Sequence, residues 1–238
     1  MSYALRHTDL RIQADKVWLD AFLSHAPDVR GLVLCVSPWF GRLRDSREDY
    51  AARVLRDAGY ATLLVSLLSA YEESRDPELR YDVSLLATRL QTVMLWVQHQ
   101  PQLGGLPLGL QALGTVAAAG VRAIAREPET MGERIGAIVA RSARADLAGA
   151  EPLRRLRVPT LMVMPGQEAA LLPPAEQAYA LIGADKAWKV VPYASVDFIE
   201  PGSLEAAASS ARDWFLQHLP AIAAPADGER HPDSATDS

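Results

Sequence analysis

The feature that most constrains this sequence is a series of short, unbroken apolar runs set between segments of helical periodicity. The runs cover residues 31–36, 61–65, 106–110, 135–140, 160–164 and 188–191. A strand with one wet face alternates apolar and polar residues, whereas a strand covered on both faces has no polar side to show. The runs therefore predict strands buried inside a parallel sheet. Between them, Tyr50, Val54 and Leu55 share a helical face, with Gly59 as the stop. Leu85, Leu86, Leu90, Val93, Met94 and Val97 form a long stripe that ends near Pro101. Residues 117–125, 174–182 and 204–219 predict three more helices, the second opened by Pro173-Pro174. Only the N-terminus differs. There Leu10 and Ile12, then Val17 and Leu19, alternate with polar neighbours about a break at Ala14-Asp15, the pattern of an antiparallel hairpin. The hairpin and six runs predict an α/β domain over residues 1–219, built on a mostly parallel sheet of about eight strands. Residues 220–238 shift to Ala, Pro, Asp, Ser and Gly and predict a disordered tail.

A hydrophobic fraction of 49% supplies a sizeable core, and a net charge of -5 offers no basic field for nucleic acid. Cys35 is the one cysteine, so no internal disulfide is possible. Its place within the run 31–36 predicts a small buried hydrophobe. Arg6, His7 and Asp9 argue against a signal peptide. The least charged stretch, residues 106–121, contains Pro107 and three glycines and falls short of the roughly 18–20 residues of a membrane helix. A soluble, cytoplasmic protein is expected. Phosphate-loop, dinucleotide and metal-ligand spacings are absent from the sequence, so no cofactor or metal is expected. The partner, a small molecule or a protein, and the oligomeric state are left open.

Several segments in this order resemble the dienelactone-hydrolase-like branch of the α/β-hydrolases. Residues 50–64 resemble its first helix and following strand. Residues 106–110 resemble the strand entering the nucleophile turn, and 158–163 the strand before the acid. Residues 200–204 and 213–219 resemble the region after the histidine and the last helix. The likeness runs from about residue 8 to 219. It implies a three-layer α/β-hydrolase fold and hydrolysis of carboxylic esters or lactones by a nucleophile, a histidine and an acid.

At the positions the resemblance assigns to these groups, the sequence departs. The nucleophile turn, G-x-S-x-G or its cysteine form, corresponds to Ala112-Leu113-Gly114-Thr115-Val116, with glycine in the nucleophile slot. Glycine accepts the positive φ of such a turn, so the turn is expected to persist without an attacking atom. Neither serine nor cysteine occurs between Ser84 and Ser142, so no change of register restores one. Thr115 is read as a helix cap before a substitute nucleophile. The histidine slot falls on Val196. Of the five histidines, His7 and His25 flank the hairpin, His99 and His218 close helices, and His231 lies in the tail. The acid slot falls on Glu168, read first as a solvated loop residue. Asp197, beside the vacated base position, is a second carboxylate. The resemblance places an oxyanion donor after the third strand, where Ser37-Pro38-Trp39-Phe40 stands. Pro38 has no N–H to give, and Trp39 and Phe40 are expected to fill or lid the cleft, or simply to pack.

Ser66 and Ser142 are candidate cleft hydroxyls, and Arg141 and Arg144 could hold an anion or pair with Asp146 and Glu151. Two functions compete. One is a catalytically inactive hydrolase-like domain kept for binding a ligand or protein. The other is a hydrolase of small esters or lactones with relocated chemistry, using Ser37, Ser66 or Ser142 with Glu168 or Asp197.

Overall fold

The computed structural model describes residues 5–39, 41 and 45–219. The hairpin is β1 (Arg6–Ala14) and β2 (Val17–His25), in register from Arg6 opposite His25 to Ala14 opposite Val17. Asp15 turns it at φ 54°, a value that aspartate tolerates better than most residues. The remaining strands are β3 (Leu32–Ser37), β4 (Ala61–Ser66), β5 (Leu108–Leu113), β6 (Ile135–Arg141), β7 (Thr160–Pro165) and β8 (Lys186–Val191). They form one eight-stranded sheet in the order β1-β2-β4-β3-β5-β6-β7-β8. β2 joins β4 antiparallel, and every pair from β4 to β8 is parallel.

Helices cover both faces. α1 (Ser46–Asp57) and α7 (Ser203–His218) lie on one side, where Val33, Cys35, Val139, Leu55 and Phe215 share a core. α3 (Val83–Gln98), α4 (Val116–Arg126) and α6 (Leu172–Leu181) lie on the other, with Leu32, Leu34, Leu90, Leu110 and Met162. Successive residues of β3 thus enter opposite cores, which is why every one is apolar or small. Gly109 of β5 lets α7 lie close: a Cβ there would stand 2.6 Å from the Phe215 ring.

Three expectations need correction. β8 is an edge strand and only Val191 in it is buried, so it is not covered on both faces. β5 begins at Leu108 rather than residue 106; Pro107 precedes it and its carbonyl accepts the Leu32 N–H. His7 and His25 lie within the hairpin strands rather than beside them. Two short helices, α2 (Ala70–Arg75) and α5 (Ala150–Arg155), went unforeseen, because six residues carry too little apolar periodicity to read. α2 buries no residue and is held by polar contacts: Ser69 and Glu72 form a capping box, and Glu72 also pairs with Arg89 at 2.5 Å. Among the described residues, no helix is long and apolar enough to cross a membrane. The predicted tail, 220–238, lies outside the described residues.

Candidate functional site

In a parallel sheet, loops from several strands converge at the carboxyl ends, where ligands of such folds are bound. At the end of β5 the chain reverses into α4 through Gly114, at φ 60°. The N–H of Gly114 donates to the Arg141 carbonyl at 3.1 Å, and its own carbonyl accepts from the Arg144 N–H at 3.1 Å. The turn is thereby tied to the end of β6.

The space above Gly114 is taken by Trp39. A Cβ on Gly114 would lie 3.2 Å from Trp39 Cη2 and 3.5 Å from Cζ3, so the indole sits where a nucleophile's side chain would leave the backbone. Trp39 follows β3, and its N–H is already accepted by Ser37 Oγ at 3.1 Å. Pro38 has none, so this loop directs no free N–H from either residue at an oxyanion. Phe40 lies outside the described residues.

Thr115 is buried, but it does not cap α4. Its hydroxyl donates instead to the Arg80 carbonyl at 2.5 Å, binding the single-turn helix Pro77–Tyr81 over the start of α4. Ser66 donates to the Leu68 carbonyl at 2.8 Å and accepts the Leu68 N–H, local turn chemistry at a strand end.

The loop after β8 carries Val196, with both main-chain groups engaged. Its N–H donates to Glu168 Oε1 at 3.2 Å, and its carbonyl accepts from Ser142 Oγ at 2.7 Å. Glu168 is therefore half-buried and bonded rather than freely solvated. The structure thus brings Glu168 and Val196 together, and Ser142 links them to the segment that holds Gly114. Asp197 faces Arg47 across 3.7 Å.

Arg141 departs from expectation. Arg144 pairs with Asp146 through two bonds of 2.9 Å, and Glu151 pairs with Arg155. Arg141 shares its sheet face with Ala137 and Val139 and so points at α1, where it forms a buried ion pair with Glu48. Phe198 lies 5.9 Å beneath the guanidinium. A cavity of about 10 Å³ lined by Cys35, Gln111, Glu48 and Arg141 adjoins the pair, room for about one water. Burial and the nearby Glu48 carboxylate push the Cys35 thiol up to about 12, which keeps it neutral and unreactive.

None of the described histidines lies in this loop cluster: two stand in the hairpin strands, one closes α3 and one ends α7. His7 bonds to Ser24, which pairs with Thr62 at the start of β4. Burial lowers the pKa of His25, against an opposing bond to the Gln102 backbone. His99 caps α3, and His218 lies 3.8 Å from Asp185, just before β8. Among the described residues, three of the four non-glycine residues with positive φ cluster instead at the candidate site: Ser142 at 47°, Tyr193 at 61° and Phe198 at 53°. No glycine or asparagine marks these positions, so the sequence carries no sign of them.

The candidate hydroxyls Ser37, Ser66, Thr115 and Ser142 each donate to a main-chain carbonyl. Among the described residues no group of three histidine, cysteine or carboxylate side chains is placed to hold a metal ion.

No family model matches the sequence. A dienelactone hydrolase from Anabaena variabilis superposes with a TM-score of 0.82 at 32% identity, over 90% of this chain and 99% of its own. The esterase Est1E from Butyrivibrio proteoclasticus gives 0.71 at 13% identity, over 88% of this chain and 98% of its own, a likeness of fold alone. Among curated proteins, one from Mycobacterium tuberculosis with the provisional name phosphoribosyl transferase is 36% identical over 215 residues. That match covers 90% of this chain but 47% of the relative, so the chain spans about half the length of the curated relatives it matches.

Proposed function

Because this chain belongs to the dienelactone hydrolase family of α/β-hydrolases, we propose that it keeps the family's scaffold without its acyl-transfer chemistry and serves as an interaction module. The observation that carries the reading is the Trp39 ring over Gly114. It crowds the position from which a nucleophile's side chain would leave the backbone, at a turn whose own side chain is a hydrogen atom.

The surroundings support the same reading. An acid contributes to acyl transfer by orienting an imidazole. Here Glu168 instead accepts the main-chain N–H of Val196, whose side chain has no group to take up or return a proton. The relocated alternative needs a hydroxyl within reach of a carboxylate or another base, and Ser37, Ser66 and Ser142 spend theirs on carbonyls. The transferase activity in the name of the M. tuberculosis relative is a statement about a protein twice the matched length.

The test is incubation of the purified protein with short p-nitrophenyl esters and with a fluorophosphonate probe. Turnover at background and no labelled residue are expected. Covalent labelling at one residue, or ester turnover that tracks the protein through purification, would sink the proposal.

A further inference from the structure

We infer that Gln111, Arg141 and Glu48 form a binding site for a single buried water molecule at the carboxyl end of the sheet. The inference stands apart from the reading of the domain as non-catalytic. Two buried polar groups point to it independently.

The first is Arg141, which is 7% exposed. Its Nη2 donates to Glu48 Oε1. Its Nε is buried and has no partner among the described residues. A guanidinium is donor at every nitrogen, and a buried donor left unmade costs the full desolvation of that group. The second is Gln111, 6% exposed and the one polar side chain along β5. Sheet register sets it beside Cys35 of β3 and Val139 of β6, on the face that carries Arg141. Its amide is both donor and acceptor. Among the described residues, none bonds that amide.

Both groups, with Glu48, line the cavity of about 10 Å³ beneath the start of α1. That is close to the smallest space that holds a water, and it excludes any organic ligand. A buried water also needs roughly two to four polar partners. These walls supply three: the water accepts the Arg141 Nε–H and donates to the Glu48 carboxylate and to the Gln111 side-chain oxygen. Cys35 does not compete, because its thiol turns to the Val33 carbonyl at 4.0 Å.

Charge rules out the other occupants of this size. Glu48 and Arg141 neutralise each other. A chloride ion would shed its hydration beside the Glu48 carboxylate, and a small cation would shed its own beside the guanidinium. Water carries no charge and both donates and accepts. Its position also gives it a task. The Arg141 carbonyl accepts the Gly114 N–H, and the cavity wall includes Ser37, whose Oγ accepts the Trp39 N–H. A water that completes the contacts of Arg141 steadies the strand ends that carry Trp39 and Gly114.

The test is a high-resolution crystal structure of the full chain, a bromide-soaked crystal recorded at the bromine absorption edge, and water–protein NOEs in solution. One peak is expected within about 3.2 Å of Arg141 Nε, without anomalous signal, together with NOEs from water to the Gln111 amide protons. In Gln111→Leu the peak is expected to be lost. An empty cavity, an anomalous peak showing that an anion occupies the site, or no NOE to Gln111 would each overturn the inference. Full occupancy retained in Gln111→Leu would overturn the role given to Gln111. Should that variant fail to fold, the crystal and NOE results on the unmodified chain decide alone.

Discussion

Replacing Gly114 with alanine tests whether Trp39 occupies the nucleophile's place. Two costs are expected. A left-handed backbone costs an L-residue about 1–2 kcal/mol, and Gly114 sits at φ 60°. The new methyl would also stand 3.2 Å from Trp39 Cη2, a contact that the indole must yield to by a few tenths of an ångström. Overpacking of this kind adds roughly 1 kcal/mol or more. Gly114→Ala in the unmodified chain should therefore lose about 2–4 kcal/mol. Trp39→Ala removes the obstructing ring, so in that background the same change should cost only the backbone share, about 1–2 kcal/mol. The four proteins of the cycle, compared by equilibrium urea unfolding with unchanged m-values, should show a coupling of about 1 kcal/mol. Additivity within about 0.5 kcal/mol would mean that Trp39 does not bear on Gly114, and the principal support for the functional proposal would go with it.

Glu48→Gln should lower stability by about 3–5 kcal/mol, because it leaves Arg141 charged and unpaired in the core. Replacing Glu48 and Arg141 together by methionine should cost much less, by the same urea measurement. Cys35, with its thiol pushed up to about 12, should resist Ellman's reagent at mildly alkaline pH in the folded protein and react once unfolded in urea. For Glu72, burial pushes the carboxyl up, but bonds from Arg89 and Ser69 outweigh it and hold the folded pKa below 4.5. Its contribution is present above the unfolded value and is lost as pH falls through the folded one. Glu72→Gln should therefore flatten the acid limb of the stability curve, read as urea midpoints from neutral pH downward.

Much of the fold is legible because burial leaves a local record. β3, β4, β5 and β7 are buried along their whole length, and their unbroken apolar runs say so. α3 shows its stripe because seven of its apolar residues enter the core. α2 leaves no such record, since it is held by the Glu72–Arg89 pair rather than by apolar burial. At the site, Gly114 is legible as a turn glycine, while the partners of its neighbours are not. Thr115 finds Arg80 at a separation of 35 residues, Ser142 finds Val196 at 54, and Arg141 finds Glu48 at 93. Arg141 was expected to pair with a carboxylate close in sequence, but strand alternation turned it to the sheet face that carries α1.

The sequence by itself determined the hairpin, the parallel sheet and the lack of any serine or cysteine between Ser84 and Ser142. Composition and periodicity are properties of a continuous stretch of chain. Only the tertiary structure decided that Trp39 covers Gly114, that Glu168 and Ser142 grip Val196, and that Tyr193, Val196 and Ile199 face solvent on one loop. Those contacts arise where the carboxyl ends of β3, β5, β6, β7 and β8 meet, and strand order in the sheet, not position in the chain, makes them neighbours.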